Sequence, residues 1–143
     1  MKPFHLDSHM VTLRGVFYPT GHVVLMFPSH DAAHEAAAAI TRAGISGAEI
    51  SLLSPDTLLG PIAQTVGASD MPFPSPGGEA AIVRQLAQHA SRGEWGLMVH
   101  APKSHQCEAV LSAVKGMPVT FAERYRHLVI EDLQASLGQH LPA

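Results

Sequence analysis

VVLMF, residues Val23 to Phe27, and WGLMVH, residues Trp95 to His100, are two versions of one apolar segment. Leu25-Met26 in the first is answered by Leu97-Met98 in the second. Each is a short apolar run suited to a central strand. Downstream of the first, His30 to Ala43 is rich in alanine, the strongest helix former. Ala33, Ala36, Ala37 and Ile40 fall at i, i+3, i+4 and i+7, one face of a helix that Gly44 caps. Downstream of the second, Ser104 to Val114 repeats the pattern with Cys107, Val110, Leu111 and Val114. Ala48 to Leu53 then reads as a second strand, and Pro118 to Ala122 with Leu128 to Glu131 supply closing strand material. Two strand-helix-strand halves of this kind describe an α+β, ferredoxin-like sandwich.

Between the halves lies an extra helical middle section, Ser54 to Gly93. Ser54-Pro55 and Ser75-Pro76 each read as an N-cap followed by proline at the first helical position. The first opens a short helix interrupted near Gly60-Pro61. The second opens a longer one with Ile82, Val83, Leu86 and Ala90 on one face. MPFPSPGG, Met71 to Gly78, is a proline-rich loop between them. If the middle section made a single crossover, the third strand would run parallel to the second, giving a small doubly wound α/β sheet. Two helical legs restore the ferredoxin-like polarity, which the internal repeat favours. The division expected is a flexible segment over 1–21, one α+β domain over 22–133 and a tail over 134–143.

At 143 residues the chain is one domain's worth. A hydrophobic fraction of 46% against 15% charged residues describes a globular protein, not a disordered one. The single cysteine, Cys107, allows no internal disulfide and fits a reducing, cytoplasmic location. MKPFHLDSHMV has no apolar h-region, so no secretory signal is expected, and no apolar run approaches the roughly 20 residues of a membrane span. Net charge is −3, and only Arg124, Arg126 and His127 concentrate basic character, which argues against nucleic acid as a partner. Protonating the ten histidines would reverse the sign of the net charge.

Three places invite a functional reading. In PSHDAAHE, Pro28 to Glu35, His30 and His34 stand four apart, a metal-holding spacing on a helix. His34 falls off the apolar face, no third ligand is assignable, and Ser29 and Asp31 are explained as cap and first-turn residues. No metal and no cofactor are expected. The second place is HAPKSH, His100 to His105, where a strand end meets a helix start. Lys103, Ser104 and His105 there suit an anion, although no glycine-rich loop accompanies them. The third is a surface. Alternation places Val23, Leu25, Phe27, Leu97 and Val99 on one side of the sheet, and Val24, Met26, Met98 and His100 on the other. With helices on the first side only, Met26, Met98 and His100 line an open face that must be covered. A second subunit, in a homo-oligomer such as a dimer, is the first expectation, the middle section the second and a small ligand the third. No enzyme motif is present, Cys107 belongs to an inward helical face, and Asp56, Asp70, Glu79, Glu123, Glu131 and Asp132 show no spacing of paired carboxylates.

VVLMFPSHDAAHEAAAAITRAGISGAEISLLSPD resembles the first half of bacterial general stress (YflT-like) proteins. Ala43-Gly44 closes the helix and Ala48-Glu49-Ile50-Ser51 introduces the second strand, as in that family. The second half is similar, with Glu79 at an acidic helix start, a helix ending in Arg92-Gly93 and the strand Gly96 to His100. The resemblance covers roughly residues 22 to 131. It implies a stress-associated bacterial protein without assigned catalytic residues. The expectation is therefore a non-catalytic domain that self-associates or binds a partner through the open sheet face. The alternative is a small-molecule or anion-binding domain.

Overall fold

The computed structural model describes residues 1–12, 15–67, 78–126 and 129–137. Six strands form one sheet in the order β1-β3-β4-β2-β5-β6. They are β1 (Lys2–Pro3), β2 (His22–Phe27), β3 (Ile50–Leu53), β4 (Trp95–His100), β5 (Phe121–Arg126) and β6 (Val129–Asp132). The two apolar segments that echo each other, β2 and β4, are the central pair. They run antiparallel with Leu25 opposite Leu97. β3 is antiparallel to β4, and β5 is antiparallel to both β2 and β6. The doubly wound alternative, which needed the third strand parallel to the second, is therefore excluded. The fold is mixed α+β.

Helix α1 (His30–Arg42) starts where the Ser29 side chain accepts a hydrogen bond from the Ala32 N–H, satisfying one orphan donor of the first turn. It ends at Ala43, and Gly44 adopts φ 105°, a left-handed conformation that favours glycine. Ala33, Ala36, Ala37 and Ile40 are buried, the face that periodicity marks. Helix α5 (Ser104–Val114) buries Cys107, Val110 and Val114, while Leu111 is only partly buried. Together α1 and α5 cover the side of the sheet carrying Val23, Leu25, Phe27, Leu97 and Val99.

The opposite side is also covered, and here the structure corrects the expectation of an open face. After β3, the short helix α2 (Pro55–Thr57) is capped by Ser54 and runs into a π-helical turn, Leu58–Ile62, that contains Pro61. Helix α3 (Ala63–Gly67) follows, and α4 (Glu79–Ser91) begins after Gly78 at φ 77°. The expected cap at Ser75-Pro76 and the loop residues 71–77 lie outside the described residues. Leu58, Ile62, Val66, Val83, Leu86 and Ala90 from this layer pack on Val24, Met26, Met98, Phe121 and Tyr125. A Cβ on Gly96 would meet Met26 Sδ at 2.8 Å and the Leu25 carbonyl oxygen at 3.2 Å, so only glycine fits opposite Met26.

The N-terminal segment, expected to be flexible, belongs to this second layer. Lys2–Pro3 pairs in parallel with β3, and Val11 bridges Phe17. Val16 and Phe17 are buried, with Phe17 edge-on to both Phe4 and Tyr125. Gln134, the first residue of the expected tail, is buried as well. Among the described residues no helix is long and apolar enough to cross a membrane.

Candidate functional site

Of the residues expected on an open face, Met26 and Met98 lie fully covered under the middle section. The helical layer supplies what was first assigned to a second subunit. His100 escapes because it ends β4. It is exposed, its Nδ1 lies 2.7 Å from Glu49 Oε2, and its ring sits 4.9 Å from that of His22, its cross-strand partner. Burial, and then the proximity of His100, lower the pKa of His22 against the opposing hydrogen bond that its Nδ1 makes to the Thr20 carbonyl oxygen.

Lys103 and Ser104 do occupy a recess, of about 680 Å³, at the start of α5. The sheet brings Arg124 and Arg126 of β5 to the same recess. His105 is exposed and is not among the lining residues. The Lys103 backbone N–H already donates to Gln106 Oε1 at 3.0 Å, and Arg126 lies 3.5 Å from Glu131. His30 and His34 stack at 4.4 Å on the exposed side of α1, with the His30 ring against the Trp95 ring. Among the described residues no group of three or more His, Cys, Asp or Glu is arranged to hold a metal ion.

The most chemically furnished place lies elsewhere, between α4 and the β5–β6 edge. A cleft of about 720 Å³ opens there, within the range of small-molecule sites. Ile82 of α4, Phe121 of β5 and Ile130 of β6 give it apolar walls. Glu123 sits between Phe121 and Tyr125 on the inward side of β5, 6% exposed, and lines the cleft. No described residue gives its carboxyl a hydrogen bond or a salt bridge. Burial first, and then the carboxylate of Asp132, push its pKa up to about 8. Asp132 is the residue directly opposite Glu123 in the β5–β6 ladder. The expectation that no carboxylates pair is thereby corrected. The pairing arises across a hairpin, where spacing along the chain carries no sign of it.

A second polar group closes one end. Glu94, 8% exposed, accepts from Thr120 Oγ1 at 2.5 Å and lies 2.8 Å from His89 Nδ1. A carboxylate only accepts, so the proton of this hydrogen bond sits on His89 Nδ1. The His89 ring rests 5.5 Å from Phe121 and lines the cleft. Gln134 donates from Nε2 to the Thr120 carbonyl, and its backbone N–H donates to Asp132 Oδ1. His89, Glu94, Thr120 and Gln134 are thus one connected frame around the Glu123–Asp132 pair. Reading the sequence did not find this site. The one available signal was the alternation Phe121-x-Glu123-x-Tyr125, which sets a carboxyl on an otherwise apolar strand face.

Comparison with known proteins finds no matching family model, no matching curated protein and no matching solved structure.

Proposed function

We propose that this chain is a small-ligand-binding domain and that the cleft between α4 and β5–β6 is its site. One observation carries the reading: Glu123 is a buried residue whose carboxyl has no hydrogen-bond partner among the described residues, and it borders a cleft of ligand size. A ligand in the cleft can supply the partner that these residues do not. The self-association reading rested on Met26 and Met98, which the helical layer covers. The strand order β3-β4-β2-β5, antiparallel throughout, supports a ferredoxin-like core extended by one strand at each edge. A stress-associated role has the sequence resemblance as its support.

Ala81 is exposed and lines the cleft, so Ala81→Trp fills the site without touching the core. Small-metabolite mixtures screened by ligand-observed NMR should give hits with the wild-type protein that disappear in Ala81→Trp. Hits that survive the substitution, or none at all, would refute the reading. A second reading, anion binding at the α5 start, is favoured by the convergence of Lys103, Arg124 and Arg126 on one recess. Inorganic phosphate should then raise the melting temperature in proportion to the logarithm of its concentration, and Arg124→Ala should remove that effect.

A further inference from the structure

We infer that the α4/β5–β6 cleft takes a small organic amine, with the ammonium seated between Glu123 and Asp132 and the hydrocarbon against Phe121, Ile82 and Ile130. The inference rests on the ligand-binding reading above and names the chemistry of its ligand.

Charge selects the class. The cleft is lined by two carboxyls that face each other across one strand pair, and none of its lining residues is Lys or Arg. Burial, and then the carboxylate of Asp132 directly opposite, keep the proton on Glu123; a cation between the two carboxylates offsets both. An anion would meet repulsion from Asp132 and no compensating charge. A bare metal ion is disfavoured, because among the described residues no group of three or more His, Cys, Asp or Glu is arranged to hold one. An ammonium asks for less. It needs acceptors for three N–H groups, and Glu123, Asp132 and the Gln134 Oε1, whose amide nitrogen is already engaged with Thr120, are the candidates. Phe121 adds an aromatic ring beside the seat, and the face of such a ring attracts a cation.

Binding is coupled to a proton. With its pKa near 8, Glu123 is mostly protonated at neutral pH. When the ammonium docks, the carboxyl releases that proton to solvent and the carboxylate accepts a hydrogen bond from the incoming N–H. The groups facing Glu123 are Asp132 on β6, Tyr125 on its own strand and, across the cleft, His89 of α4 with its partner Glu94. Between pH 6 and pH 8 the ionised fraction of an acid with that pKa rises roughly 50-fold, and amine affinity should rise with it.

The test uses three probes of similar size and different charge: 2-phenylethylamine, 2-phenylethanol and 3-phenylpropionate. Backbone amide shifts are followed by NMR on the intact chain, and calorimetry at pH 8 in two buffers counts protons released. The amine alone should shift amides of α4, β5 and β6, bind about 50-fold more tightly at pH 8 than at pH 6, and release about half a proton per site at pH 8. Glu123→Gln should abolish the pH dependence, and Asp132→Asn should weaken binding at both pH values. If the alcohol or the carboxylate binds this cleft as tightly as the amine, the ammonium assignment is overturned while the cleft remains a binding site. If wild-type protein binds the amine without pH dependence, the role of Glu123 is overturned. Silence from all three probes, together with a metabolite screen that gives no hits, overturns both readings.

Discussion

The two faces of the sheet are packed to different standards. Under α1 and α5 the contacts are apolar throughout, from Val23, Leu25 and Phe27 across to Cys107, Val110 and Val114. Under the middle section the packing is equally tight around Met26 and Met98 but carries polar faults. Glu123 is unpaired, and the Tyr125 hydroxyl is the buried side-chain polar atom without a partner among the described residues. Burial and the neighbouring Glu123 also raise the pKa of Tyr125. Both faults lie on one strand, β5, beside the cleft. A face that only stabilises tolerates no such groups, because each unpaired one costs free energy. One face holds the molecule together, and the other gives up stability where the site is.

The sharpest way to break this comparison is to truncate the purely structural face. Phe27→Ala should lower unfolding free energy by about 3–5 kcal/mol in urea denaturation, whatever the pH. A loss below about 1 kcal/mol would show that the α1/α5 face is not the stabilising one.

The next effect belongs to the other face and depends on pH. Because the folded-state pKa of Glu123 is raised from 4.5 to about 8, the folded protein binds the extra proton in that window. Its contribution is therefore intact below pH 4.5 and is lost as pH rises towards 8, with a limiting slope of about 1.4 kcal/mol per pH unit. Glu123→Gln should flatten that slope and leave the variant more stable than wild type at pH 8. Parallel stability–pH curves for the two proteins would contradict the assignment.

Gly96→Ala tests how closely Met26 of β2 and Leu53 of β3 pack around Gly96. The new methyl meets Met26 Sδ and a backbone oxygen, so a loss of about 1–3 kcal/mol is expected. Met26→Ala in the same chain should recover part of it, since the two sites are in contact. Smaller still, and opposite in sign, Tyr125→Phe removes a hydroxyl that has no partner among the described residues. It should stabilise by about 1 kcal/mol, and a destabilisation would show that the hydroxyl has a partner after all. At the bottom of the scale, Cys107 is buried and its pKa is raised, so a thiol reagent should label it only after unfolding.

Much of the architecture was legible from local pattern. The echo of Leu25-Met26 in Leu97-Met98 identified the central strands, and the i, i+3, i+4, i+7 alanines of α1 marked its buried face. Gly44, Ser29 and Ser54 marked helix ends because caps answer a local need of the backbone. The recess at Lys103 was half legible: the helix start was visible, but not the two β5 arginines beside it. The cleft was not legible at all. His89, Glu94, Thr120, Glu123, Asp132 and Gln134 are scattered along the chain, and only the docking of α4 against β5–β6 assembles them.

The sequence by itself determined the central strands β2 and β4, the helices α1 and α5 and which sides of β2 and β4 avoid water, because periodicity and capping act over a few residues. What covers the second side was a tertiary decision. An apolar sheet face is satisfied equally by a subunit, a ligand or the chain's own helices, and nothing local in Met26 or Met98 distinguishes them. The pairing of Glu123 with Asp132 was decided in the same way, by strand register, since the repulsion between two carboxylates exists only once the hairpin brings them opposite each other.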